Sequence, residues 1–167
     1  MWSDRPMTDD TGRPDDERVG ADEDADPTAP TVTDRLAALV RSPQDTGSIK
    51  LLWRETFALD RWWFVPVGRP GQWSPAAAPI EGTNMLLAFT TAPRARQFVV
   101  DQELVGEDAP FEALAIPPAD VVANAPDYVM AGIAAVIVDP QTSGHFAPME
   151  RLAPMWAELH GEAPPDA

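Results

Sequence analysis

The chain has 167 residues, 44% of them hydrophobic, which is enough for one folded domain with a core and for a tail. Its 27 acidic and 12 basic residues give a formal net charge of −15, so the basic surface that nucleic-acid phosphates require is not expected. The absence of cysteine excludes disulfides and thiolate chemistry. No apolar run reaches the roughly 18 residues of a transmembrane helix. These features predict a cytoplasmic protein that binds neither nucleic acid nor membrane.

Residues 1–30 form a separate compositional block. They contain ten acids and three arginines, and Trp2 is their one aromatic residue. Such a segment buries too little apolar surface to offset the entropy of ordering, which predicts a disordered acidic tail whose deletion leaves stability nearly unchanged. The tail is either a solvated leader, which we expect, or a segment that binds a partner. A single domain should then span residues 31–161, and residues 162–167 should be frayed.

Two amphipathic helices should precede the first strand. Thr31 or Thr33 is the expected N-cap of the first helix, and Ser48 is the expected N-cap of the second. Apolar residues recur at helical spacing in both segments, so each helix should place one face on a sheet.

The first predicted strand, residues 62–67, reads W-W-F-V-P-V. Trp62 and Trp63 point to opposite faces of it, so both cannot face the same core. Residues 68–82 form either a long irregular connection or a wide hairpin with a short extra strand near Gln72 and Trp73. An exposed tryptophan in an acidic protein suggests a protein-binding spot, so Trp62, Trp63 and Trp73 are candidate binding residues, and we expect Trp73 to be exposed.

The clearest predicted unit is a buried strand that turns directly into a helix. Residues 85–89 are continuously apolar, which is typical of a strand covered on both faces. Thr90 or Thr91 is the expected N-cap of the helix, and Pro93 fits its first turn. Arg94 and Arg96 follow at once. Together with the free N–H groups of this helix start, they either hold a carboxylate or phosphate, or pair with nearby acids on the surface, which is the commoner case.

The rest of the chain alternates strands and helices. Strands are predicted at 111–116 and 133–138, with a short helix between them that should break or kink at Pro126. The last helix should either kink at Pro154 or begin near Leu152. The strands after the first should run parallel, and the first should pair antiparallel with the second. The predicted fold is α/β with some α+β character: one domain with a mixed sheet of four to five strands and helices packed on it.

Three short motifs stand at element ends. They are Val65-Pro66, Phe89-Thr90-Thr91 and Asp139-Pro140, within segments that read L-L-W-R-E-T-F-A-L-D-R-W-W-F-V-P-V, G-T-N-M-L-L-A-F-T-T and A-A-V-I-V-D-P. This order resembles the N-terminal domain of the SseB-like family, named for enhanced serine sensitivity, over roughly residues 33 to 160. In that family the last motif is commonly Asn-Pro. The resemblance implies an α/β domain without an assigned set of catalytic residues.

No pattern of catalytic, cofactor-binding or metal-ligating residues stands out. The two histidines, His145 and His160, are separated by fifteen residues, which matches no known ligand spacing, and we expect both to be exposed. The first functional hypothesis is therefore a non-enzymatic interaction or regulatory domain with a protein partner, for which the charge permits a basic one. The alternative is a small-anion or metabolite-binding domain, or an enzyme, that uses residues 90–96.

Overall fold

The computed structural model describes residues 25–161, so the predictions for residues 1–24 and 162–167 lie outside the described part of the chain. Six α-helices and eight strands, four of them in one mixed sheet, make up this part, which confirms the α/β class. The strands are β1 (Trp62–Phe64), β2 (Pro66–Arg69), β3 (Gln72–Pro75), β4 (Ala77–Ile80), β5 (Thr83–Ala88), β6 (Leu114–Ile116), β7 (Ala135–Val138) and β8 (His145–Pro148). The helices are α1 (Val32–Leu39), α2 (Thr46–Ala58), α3 (Ala92–Asp101), α4 (Pro118–Ala123), α5 (Ala125–Met130) and α6 (Leu152–His160).

A four-stranded mixed sheet in the order β4-β5-β7-β8 forms the centre of the fold. β5 and β7 run parallel, in a register that pairs Met85 with Ala135 and Ala88 with Val138. This confirms the predicted parallel pairing of these two strands. The parallel prediction is wrong for the strand between them in sequence, because β6 pairs antiparallel with β1. Apolar periodicity identifies a strand that is covered, but it carries no information on which strand lies beside it.

One edge of β5 is shared by two strands. β1 lies along the end of β5 through an antiparallel bridge between Trp63 and Phe89, and β4 lies along its beginning. Between these two positions the chain leaves the sheet, and β2 and β3 pair only with each other. We call this β2–β3 hairpin, residues 66–75, the arm. It contains the short extra strand predicted near Gln72 and Trp73. Since β4 follows it, residues 68–82 form neither an irregular connection nor one wide hairpin.

The four-stranded sheet has an apolar layer on each face. Val136 and Val138 of β7 belong to one layer, and Ala135 and Ile137 belong to the other. The first layer is built by α2, α4, α6 and β1, and the second by α3. The large side chains of the first layer are those of Trp53, Phe57, Trp62, Phe64, Leu86, Met149 and Leu152. Those of the second layer are Met85, Leu87, Phe89, Val99 and Ile137.

Local chemistry explains where the helices begin. Thr31 caps α1 in a capping box with Asp34, and Thr91 caps α3, as predicted. The prediction of Ser48 as the cap of α2 is wrong, because Asp45 accepts the Ser48 N–H and starts the helix earlier. The helix near Pro126 is divided into α4 and α5 at Asn124, and α6 begins at Leu152 after a 3-10 turn. Within residues 25–161, no helix is long and apolar enough to cross a bilayer.

Candidate functional site

The arm presents one apolar face that is centred on Trp73. Residues directly opposite each other in an antiparallel pair share a face, so Gly68, the partner of Trp73, lies on this face together with Pro66 and Pro75. Gly68 has a φ of +119°, and a Cβ there would lie 2.5 Å from the carbonyl oxygen of Gln72. Glycine at this position therefore permits the closed hairpin, and it leaves a flat surface beside the indole.

Trp73 is exposed by 49%, as predicted, although it lies on a regular strand. The arm closes at Pro70 and Gly71, and the latter takes a positive φ of 82°. A large aromatic ring on a two-stranded hairpin has no second layer to cover it. Backbone pairing thus fixes the main chain at Trp73, while about half of the residue's surface remains open to solvent.

Prolines limit what the arm can bind. Pro66 and Pro75 face each other at its base, and neither has an N–H group. Because antiparallel pairs alternate between hydrogen-bonded and non-bonded positions, this pair must occupy a non-bonded position, where N–H groups would point outwards. Each free edge of the arm therefore lacks a donor. This geometry disfavours the addition of a partner strand and leaves the side-chain face as the usable surface.

The other two candidate tryptophans are not equivalent to Trp73. Trp62 is fully buried, its indole N–H donates to the Thr56 carbonyl at 2.8 Å, and its ring stacks on Phe57. The prediction of Trp62 as a binding residue is therefore wrong, because its side chain is not accessible to a partner. Trp63 is half-buried on the opposite face of β1, and the guanidinium of Arg61 lies 5.7 Å from its ring centroid.

Arg94 is the centre of a buried ionic cluster. Only 5% of it is exposed. It donates to Asp139 at 2.7 Å, to both carboxylate oxygens of Asp34 at 2.5 and 3.0 Å, and to Thr142 at 3.1 Å. These contacts bring α3, α1 and the turn after β7 to one point at the carboxyl ends of the parallel strands.

Asp139 ties these two strand ends together. Its carboxylate accepts the backbone N–H of Thr90 at 2.9 Å and the Thr90 hydroxyl at 2.7 Å. Its backbone takes a φ of 46°, a left-handed conformation that is costly for a non-glycine residue. Burial raises the pKa of Asp139, and the hydrogen bonds from Thr90 together with the charge of Arg94 oppose this effect. For Asp34, burial would also raise the pKa, but the hydrogen bonds from Arg94 and Thr31 outweigh burial and lower it.

Residues 26–30, which we call the strap, complete the contacts of Arg94. The carbonyl oxygen of Pro27 accepts from Nε at 3.2 Å, and that of Ala29 accepts from Nη2 at 3.0 Å. The predicted boundary between tail and domain at residue 30 is therefore too late, because these residues contact the domain. Composition concealed this, since the contacts use backbone carbonyls, which every sequence has.

The four residues of the predicted anion site do not form one open site. Thr90 and Arg94 meet, but around Asp139, and the six contacts of Arg94 engage all five N–H groups that a guanidinium has. Thr91 caps α3. Arg96 points elsewhere and donates to the carbonyls of Ala109 and Glu107. Since the cluster holds two carboxylates against one guanidinium, it does not attract a further anion.

The position of His145 was not predicted from the sequence. It was expected to be exposed, but it packs edge-on against Trp53 at 5.2 Å between ring centroids. Its Nδ1 lies 2.8 Å from the Ser143 hydroxyl and its Nε2 lies 3.0 Å from the Thr56 hydroxyl. Because Thr56 donates to the Leu52 carbonyl, it accepts from Nε2, so Nε2 carries a proton. Burial lowers the pKa of His145 to about 4.

The sequence contained a signal that His145 lies on a strand. Residues 145–148 read H-F-A-P, and the alternation of a polar ring with small and large apolar residues is compatible with an edge strand. His160, in contrast, is exposed as predicted, and its ring stacks on Trp156 at 3.9 Å. Among residues 25–161, no three histidine, aspartate or glutamate side chains are grouped closely enough to hold a metal ion.

Comparison with known proteins adds no assignment. No protein-family model matches the chain, and no curated protein matches it. The resemblance to the SseB-like family therefore stays a prediction, which rests on the three motifs at Val65, Phe89 and Asp139.

Proposed function

We propose that this protein is a non-enzymatic interaction or regulatory domain that binds a protein partner through the Trp73 face of the arm. The observation that carries this proposal is the half-exposed indole on a hairpin that pairs with no other strand among the described residues. Tryptophan is enriched among residues that dominate binding energies, and it buries a large area with few rotatable bonds. Because the backbone that carries the ring is already ordered in a hairpin, binding costs only the entropy of the side chain.

The expected partner surface is an apolar pocket surrounded by basic groups. The pocket follows from the indole and the two prolines beside it, which offer flat apolar surface. The basic surroundings follow from the formal net charge of −15, which attracts a positively charged protein over distances of about a Debye length. Recognition by side chains rather than by strand addition follows from the donors that Pro66 and Pro75 remove from the arm's edges.

The alternative of an anion or metabolite site at residues 90–96 receives less support. Arg94 has no free donor in the cluster, and Arg96 is engaged with the 107–109 turn. Binding of an anion there would require the protein to break contacts with Asp34 or Asp139 first. The interaction hypothesis needs no such rearrangement, since Trp73 is already exposed.

Crosslinking from the arm tests the proposal. A photoreactive amino acid at Ser74, which lies beside Trp73 on the opposite face, would capture partners in cells, with and without Trp73→Ala. We expect Trp73→Ala to reduce the crosslinked partner at least tenfold while unfolding stability stays nearly unchanged. Met130→Ala, which truncates an 87% exposed side chain on α5, is the matched control and should leave crosslinking unchanged. Equal crosslinking by the wild-type protein and Trp73→Ala would contradict the proposal.

A further inference from the structure

A cavity of about 170 Å³ lies between α2 and α6, where these helices pack on the first apolar layer. Ile49 and Trp53 of α2 form one of its walls, since residues four apart lie on the same face of a helix. Met155 and Leu159 of α6 form the other wall in the same way. Trp53 is buried and the other three side chains are half-buried, so the cavity has an apolar floor and a mouth towards solvent.

Three charged side chains surround the mouth of this cavity. Lys50 follows Ile49 on α2 and forms an ion pair with Glu158 of α6. Arg151, in the 3-10 turn before α6, also borders the cavity, and no residue in the described part of the chain forms an ion pair with it. The mouth therefore carries two positive charges and one negative charge.

The ion pair between Lys50 and Glu158 does not close the cavity. The two side chains are 55% and 54% exposed, and such exposed pairs contribute little to stability because water solvates the separate charges well. A second carboxylate can therefore approach Lys50 and Arg151 without the loss of a strong contact. The formal net charge of −15 opposes this approach only weakly, since charges beyond a Debye length of about 8 Å are screened.

The volume of the cavity limits the apolar part of a ligand. An apolar protein cavity of about 150 Å³ holds benzene, so a cavity of about 170 Å³ accommodates a hydrocarbon part of about six carbons. The side chain of Met155 is flexible and polarizable, and it can adapt to either a ring or a short chain. The cavity therefore fits ligands that have one small ring or one short aliphatic chain.

We propose that the cavity between α2 and α6 binds a small apolar carboxylate. Its hydrocarbon part of about six carbons lies against Trp53, and its carboxylate pairs with Arg151 and Lys50. The mouth has a surplus of one positive charge, which a monoanion neutralises. The residues that line the cavity lie outside the arm, so binding here is independent of binding by Trp73.

The test adds benzoate or hexanoate to the full-length protein, labelled with methyl-¹³C methionine and observed by NMR. The Met155 methyl signal, assigned by its loss in Met155→Leu, should shift in a saturable manner. The dissociation constant should be about 1 mM or below, as expected for a ligand of about nine non-hydrogen atoms. The Met85 signal, from the opposite face of the sheet, should not shift. Benzamide, which matches benzoate in size but has no charge, should bind about fivefold more weakly.

Two variants change the charges at the mouth in opposite directions. Arg151→Gln should weaken benzoate binding about fivefold, whereas Glu158→Gln should strengthen it about threefold, because the competing carboxylate is removed from Lys50. Arg54→Gln removes an exposed arginine of α2 that does not line the cavity, and this matched control should leave the affinity unchanged. All three replaced side chains are exposed, so the variants should fold like the wild-type protein. The absence of a saturable Met155 shift, equal binding of benzamide, or an affinity left unchanged by either charge variant would overturn the proposal.

Discussion

Replacing Arg94 by alanine should destabilise the protein by about 3–5 kcal/mol, the cost of breaking a buried ion pair by removing one partner. The magnitude is set by Asp139, which is 2% exposed and would keep the Thr90 hydrogen bonds but lose its counter-charge. Asp34 adds less, because 19% of its side chain is exposed and water would partly replace the guanidinium.

Urea unfolding followed by tryptophan fluorescence would measure this loss, since Trp53 and Trp62 are buried in the core. Arg35→Ala, which removes an exposed arginine of α1, is the control and should cost no more than about 0.5 kcal/mol. Removing all three charges together, by Arg94→Met with Asp34→Asn and Asp139→Asn, should recover at least about 2 kcal/mol relative to Arg94→Ala, because no unpaired charge is left buried.

The loss in Arg94→Ala should also depend on pH. Burial raises the pKa of Asp139, and without Arg94 to oppose it the pKa rises further. The folded variant then binds a proton at Asp139 at a higher pH than the unfolded chain does, so its deficit relative to the wild-type protein should shrink as pH falls from 7 towards 4. A loss below about 1 kcal/mol at pH 7, or a loss that does not shrink on acidification, would refute a buried charge cluster at Arg94.

Further predictions follow from the strap, His145 and Trp73. Deletion of residues 1–24 should leave the melting temperature unchanged, whereas deletion of residues 1–30 should cost about 2 kcal/mol through the two lost acceptors of Arg94, and equal melting of both truncations would contradict this. Since the pKa of His145 falls from 6.5 to about 4 on folding, the wild-type protein should lose about 2–3 kcal/mol of stability as pH falls from 7 to 4, and urea unfolding of His145→Gln should not show this component. Trp73→Ala should change the free energy of unfolding by less than about 1 kcal/mol in the same assay, and a loss above about 2 kcal/mol would show that the indole belongs to the core.

The unit from β5 to α3 could be predicted because its signals are local. The apolar run at residues 85–89 requires cover on both faces, and Thr91 with Pro93 supplies the cap and first turn of α3. The start of α6 at Leu152 and the break near Pro126 are likewise set by chemistry within a few residues. The exposure of Trp73 was predicted because its segment is long and the helices that could cover it pack on the sheet.

The arm could have been predicted more completely than it was. Pro70-Gly71 is a turn signal with a physical basis, since proline sets φ at the first central position and glycine permits the positive φ of the second. Short strands flank it on both sides, but their residues do not alternate regularly between apolar and polar. A hairpin with no buried face leaves no such alternation in the sequence, and this is why residues 68–82 resembled a loop.

By itself the sequence determined the helices, the buried strands β5 and β7, the caps of α1 and α3 and the α/β class, because these depend on residues close together in the chain. Tertiary structure alone decided the partner of β6, the burial of His145 and the role of Arg94. Arg94 lies 60 residues from Asp34 and 45 from Asp139, and no local pattern distinguishes it from an exposed arginine at a helix start. Only the meeting of the strap, α1 and the carboxyl ends of β5 and β7 removes water from the guanidinium and supplies its acceptors.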